Sequence, residues 1–129
     1  TLAGDPGVME VLDEPGRYEP EQVFYIRNLR TDDHGMTALM LVRREGDAFH
    51  IAFDRKAFPH TVRWVLVNDD QKVCAFALPS TCEPEGYLAE SRKGHVLVLP
   101  SGSEAKFSVR LGYLDMDAVK SAEKHIRSL

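Results

Sequence analysis

An all-β protein, an antiparallel β-sandwich with a short C-terminal helix, is what three features of this 129-residue chain predict. β-branched and aromatic residues gather in about seven short runs at regular spacing. Short polar links that contain Gly or Asn separate several of them. The hydrophobic period changes from two toward 3.6 only near the end of the chain. A composition of 43% hydrophobic and 28% charged residues fits one globular unit with a modest core. Neither an internal repeat nor a low-complexity segment divides it.

Residues 1–20 hold Gly4, Pro6, Gly7, Pro15, Gly16 and Pro20, a density of chain breakers that predicts an N-terminal arm or linker needing a surface to lie on. From 21 to 129 the chain reads as the sandwich domain. Its strands are expected over 22–27, 36–42, 48–53, 62–67, 72–78, 95–99 and 105–113. Arg44-Glu45-Gly46-Asp47 and Asn68-Asp69-Asp70-Gln71 have the residues that close hairpins, because Gly and Asn accept positive φ. In the last strand Phe107, Val109 and Leu111 alternate with Lys106, Ser108 and Arg110, which predicts one dry face and one wet face. Asp115 or Asp117 then caps a terminal helix with Val119, Ala122 and Ile126 along one side.

A formal charge of −4 leaves no basic surplus for a phosphate backbone, so nucleic acid is not an expected partner. No apolar run approaches the roughly 20 residues that cross a bilayer, and no membrane association is expected. The N-terminus lacks the basic and apolar regions of a secretory signal, and its first residue is not Met, as in a piece of a longer chain. Cys74 and Cys82 form neither a zinc pattern nor a disulfide framework; reduced thiols in the cytoplasm are the expectation.

Chemistry concentrates in Thr81-Cys82-Glu83-Pro84-Glu85-Gly86-Tyr87, just past a strand end. Pro fixes the backbone direction there, so Glu83 and Glu85 are aimed by the sheet beneath them, as a general base or as acceptors for sugar hydroxyls. Solvated loop acids are the plainer alternative. His60, Val62 and Trp64 share one face of an extended strand, which sets an imidazole near an aromatic plane suited to the C–H face of a sugar ring. Trp64 as a core anchor between sheets, with His60 as a structural histidine, accounts for the same pattern. His34 sits in Thr31-Asp32-Asp33-His34-Gly35, where turn chemistry suffices. His50, His95 and His125 fall on separate elements, so neither a metal nor another cofactor is expected. Nothing in the sequence shows a basic environment that would make Cys82 a nucleophile, and phosphate-cradling glycine loops and hydrolase elbows are absent.

Four segments in order carry a resemblance: Phe24-Tyr25-Ile26-Arg27; then His50-Ile51-Ala52-Phe53-Asp54 leading to Phe58-Pro59 and Trp64; then 77–87 with its Leu78-Pro79-Ser80-Thr81-Cys82-Glu83-Pro84 core; then Val98-Leu99-Pro100-Ser101-Gly102. Over roughly 21–113 the chain resembles the C-terminal portion of the aldose 1-epimerase (galactose mutarotase-like) family. Order and spacing, rather than any single motif, make the match. The resemblance implies the C-terminal half of a larger β supersandwich that binds a monosaccharide in a cleft. It implies an isomerase that interconverts anomers, in which a Glu base takes the anomeric proton and a His acid protonates the ring oxygen.

Matching the Cys-Glu-Pro segment places the catalytic base at Glu83, with Glu85, Trp64 and His60 as substrate contacts. Matching the strand end and the following Pro-x-Thr instead places Leu78 there, and leucine accepts no proton. The alternative function is then a non-catalytic carbohydrate-binding or sugar-sensing module on the same scaffold. Half a supersandwich exposes strand edges and an inner face, so a second copy of the chain in a homo-oligomer, or a missing N-terminal segment, is expected to cover the sheet.

Overall fold

Two three-stranded antiparallel sheets organise the computed structural model of the chain, which describes residues 10–12 and 15–129. Strands β1 (Gln22–Tyr25), β4 (His60–Val67) and β5 (Lys72–Ser80) lie in the order β1-β4-β5. Strands β2 (Met36–Val42), β3 (Ala48–Asp54) and β6 (Val109–Leu114) lie in the order β2-β3-β6. Helix α1 (Tyr87–Lys93) follows β5, and α2 (Met116–Ser128) closes the chain. The protein is therefore the all-β sandwich with a short C-terminal helix that the sequence predicts.

Local chemistry sets the hairpins. Gly46 takes φ 91°, its N–H bonds the Arg43 carbonyl at 3.0 Å, and Val42 then pairs with Ala48 across the β2-β3 turn. The Asn68 side chain accepts from the Asp70 and Gln71 amides at 3.0 and 2.7 Å, and Val67 pairs with Lys72 across β4-β5. In the turn before β2, Asp32 Oδ1 accepts from the amides of His34 and Met36, both at 2.9 Å, so this aspartate is occupied by the backbone. Asp115 caps α2 by accepting from the Ala118 amide at 2.9 Å, and Val119 is the buried anchor of that helix.

Ile51 and Phe53 of β3 meet Phe58 and Ala77 in the core between the sheets, with Leu39 and Phe76 packed against them. The Phe53 and Phe58 rings stand edge to face at 5.9 Å. A second cluster lies behind the first sheet, where Tyr18, on a 3-10 turn at Pro15–Tyr18, is buried against Val65 with Leu12, Phe24 and Val67 around it. Of the arm expected over 1–20, residues 1–9, 13 and 14 lie outside the described residues, and the remainder is held to the sheet by Tyr18.

Two expectations are corrected. Residues 95–99 are not a strand: Leu97, Val98 and Leu99 are exposed and pair with no neighbour among the described residues, because β propensity without a ladder partner does not make a strand. The last strand begins only at Val109, and it has no dry face. Val109, Leu111 and Tyr113 pair with Phe53, Ile51 and Phe49 and share their side of the sheet, yet Leu111 is 76% exposed and Tyr113 60%. Alternation sets which side a residue faces, but burial needs an element opposite, and none of the described residues covers this side of β6. Among the described residues no helix is long and apolar enough to cross a membrane.

Replacing Phe53 by Ala should cost about 3–5 kcal/mol of stability, and Asp115 by Ala about 1 kcal/mol. Both should appear in urea titrations as a lowered midpoint at unchanged slope.

Candidate functional site

Past the end of β5 the chain runs through Thr81 and Cys82 to Glu83, then turns at Gly86, where φ is 88°, into α1. Gly94 ends that helix in the left-handed conformation at φ 75°, donating to the Ser91 carbonyl at 3.1 Å. The following His95 amide bonds the Glu90 carbonyl at 2.9 Å, which folds His95 back along the helix. Glu90 and Lys93, three residues apart on one side of α1, both face Glu83.

Glu83 is the buried centre, its side chain 4% exposed. Arg27 Nη2 donates to Oε1 at 2.6 Å and Lys93 Nζ to Oε2 at 2.7 Å. Its backbone N–H donates to Glu90 Oε2 at 2.9 Å. The Lys93 ammonium also reaches Glu90 Oε1 at 3.0 Å and Glu85 Oε2 at 2.7 Å, so a single cation holds three carboxylates. Tyr25 donates its hydroxyl to Glu85 Oε1 at 3.2 Å. His95 Nδ1 lies 2.8 Å from Glu90 Oε2, and the His95 ring packs on that of His60 with centroids 4.3 Å apart. His60 Nδ1 stands 3.9 Å from Glu83 Oε1.

These contacts set the charge states. The hydrogen bond from Lys93, against an opposing effect of burial and with Arg27 adding to it, holds the Glu83 carboxyl below the ordinary glutamate range. Burial pushes the Glu90 carboxyl up, but His95, the Glu83 amide and Lys93 outweigh it and bring it down to about 2. Lys93 is raised by Glu83 and then Glu85 and stays an ammonium. Desolvation, with neighbouring His95 adding to it, lowers the His60 pKa and favours the neutral imidazole.

Two hollows meet at Glu83. The larger, about 600 Å³, is mostly apolar and is walled by Trp64, Val62, Leu78, Phe58 and Phe107. Trp64 is fixed there by its indole N–H, which donates to Glu21 Oε2 at 2.5 Å. The smaller, about 200 Å³, is polar and includes Tyr25, Arg27, Arg55, His60 and Thr61. Leu78 pairs with Val62 and both line the larger hollow, so the two candidates for the base position, Leu78 and Glu83, border the same space.

Of the residues singled out from sequence, Glu83, Glu85 and His60 come together in one network, and Trp64 stands on the far wall of the larger hollow. Glu85 is half-exposed and belongs to neither lining. Glu83, Glu90 and His95 place ligand atoms within 4.8 Å of one another, a spacing that suits a divalent metal, but the Lys93 ammonium already lies against both carboxylates. A metal would have to displace it.

Sequence reasoning missed Tyr25, Arg27, Glu90, Lys93 and His95. One signal for two of them was available: Tyr87-Leu88-Ala89-Glu90-Ser91-Arg92-Lys93 is a run of helix-compatible residues between Gly86 and Gly94, with Glu and Lys at i and i+3. Arg27 and Tyr25 carried none, because they stand 56 and 60 residues from their partners.

A family model described as a domain of unknown function, DUF4432, matches residues 3–113 of the chain. No curated protein and no solved structure matches it.

The folded-state pKa of Glu90 lies below its unfolded value, so its share of stability is present above about pH 4.5 and fades as the pH falls toward about 2. Acid unfolding followed by circular dichroism should show progressive loss across that window. Lys93→Met should raise the titration midpoints of both Glu83 and Glu90 in carboxyl-carbon NMR and move acid unfolding to higher pH.

Proposed function

We propose that this chain, which belongs to the DUF4432 family, binds a monosaccharide in the larger hollow at Glu83, as part of an aldose 1-epimerase-like supersandwich. The carrying observation is the juxtaposition of an aromatic and aliphatic wall, Trp64 with Val62 and Leu78, against a fixed carboxylate with further polar groups at Ser80 and Thr81. Sugar rings have apolar C–H faces and a hydroxyl rim, and a site that holds them supplies both surfaces.

Binding without turnover is the reading favoured by the charge states. A general base needs a proton affinity matched to its task, whereas Glu83 is held ionised by two cations that occupy both of its oxygens. A general acid has to carry a proton, and the His60 pKa is lowered. Leu78 on the wall of the same hollow fits the alternative register, in which the base position is apolar.

Epimerisation is the second reading. It is favoured by His60 standing 3.9 Å from Glu83, a carboxylate and an imidazole side by side in the lining of the smaller hollow. On that reading Glu83 is the base, with Glu85, His60 and Trp64 around the substrate.

The exposed apolar side of β6 with Phe49 is of the kind that partners cover, and the expected cover is a second copy of the chain or an N-terminal segment. The two thiols are unbridged, which supports a reducing, cytoplasmic location.

Titration with glucose and galactose while following the fluorescence of Trp64, the protein's single indole, should give saturable binding, and calorimetry of Trp64→Ala, which lacks the fluorophore, should show that binding lost. No response to any hexose would remove the carbohydrate reading. Polarimetry decides between the two forms of it. An anomer interconversion rate no faster than solvent supports the binding module, whereas catalysis that drops about a hundredfold or more in Glu83→Gln would establish the isomerase.

A further inference from the structure

The geometry points to a second, anion-binding subsite in the smaller hollow, so that the sugar taken by this site carries a phosphate or carboxylate group held by Arg55 and Arg27. The inference deepens the carbohydrate reading and rests on it. Three observations carry it. Arg27 and Arg55 both line a polar space of about 200 Å³, large enough for an oxyanion and its waters. Arg27 gives one nitrogen to Glu83, and Arg55 gives Nη1 to the Pro59 carbonyl at 3.0 Å. Both guanidinium groups keep further N–H donors without an acceptor among the described residues.

The third observation is Thr61. It lines the same hollow, is 2% exposed, and its Oγ1 has no hydrogen-bond partner among the described residues. An unmet buried hydroxyl is costly, and this one belongs to a residue in the wall of the hollow that the two arginines share. Asn28, held at φ 57°, adds a further polar side chain to the rim. Glu83 is the one carboxylate in the lining, and its charge is met by Arg27 and Lys93. Arg55 is thereby left as the uncompensated cation facing the space. Guanidinium groups recognise phosphate and carboxylate through paired N–H donors, which is the chemistry on offer here. Glu83 lines both hollows, so the anion subsite adjoins the space proposed for the ring.

Calorimetric titration of the protein with glucose, glucose 6-phosphate, glucuronate and inorganic phosphate tests this, in the wild type, Arg55→Gln and Arg55→Lys. Arg27 is left intact because it holds Glu83. Glucose 6-phosphate or glucuronate should bind about tenfold tighter than glucose or better, and the stronger of the two identifies the group. Arg55→Gln should erase most of that advantage and Arg55→Lys should restore part of it. Equal affinities for the neutral and charged sugars, or an advantage untouched in both variants, would overturn the subsite while leaving the carbohydrate reading standing. If no sugar binds, the carbohydrate reading falls; Arg55-dependent binding of inorganic phosphate would then keep the anion pocket, and its absence would overturn that too.

Discussion

One ammonium group holds the functional end of this molecule together. Lys93 lies within 3.0 Å of carboxylate oxygens from Glu83, Glu85 and Glu90, on a strand-end loop and on the helix that follows it. Without that cation, two nearly buried carboxylates would face each other across a gap that the Glu83 backbone amide alone bridges. Ionised groups stay in such a place only when each is paired, and a lysine on the last turn of α1 is what pairs them. This contact ties α1 to the Glu83 loop and, with Arg27, engages both oxygens of the Glu83 carboxylate.

The same network explains why Glu83 suits holding a ligand better than moving a proton. Its oxygens are committed to Arg27 and Lys93, its pKa is lowered, and the adjacent His60 is pushed toward its neutral form by desolvation and by neighbouring His95. Each of these weakens an acid-base pair, while each also fixes the geometry of a hydrogen-bonding surface. The apolar wall at Trp64 and the cationic space at Arg55 lie on either side of this fixed carboxylate.

Where a single segment carried its own instruction, the chain could be read directly. Gly46 makes its hairpin through positive φ, Asn68 through a side-chain oxygen that accepts from the amides of Asp70 and Gln71, and Asp115 caps its helix, all within four residues of sequence. Residues 95–99 show where that logic stops. His95-Val96-Leu97-Val98-Leu99 has strand composition, but a strand is a pairing, and no partner lies beside it among the described residues. The alternation of Phe107, Val109 and Leu111 likewise assigned a side of the sheet without assigning a cover to it.

By itself, then, the sequence determined an antiparallel sandwich with a capped terminal helix, and it marked Glu83, Glu85, His60 and Trp64 as residues worth following, since periodicity, turn chemistry and loop position are local properties. Only the tertiary structure decided that Glu83 is buried and ionised, that Arg27 and Lys93 are its partners, and that Leu78 and Glu83 border one hollow. Those facts depend on distances between segments as far as 56 residues apart, and on the electrostatics of a site that exists only once the two sheets and α1 have met.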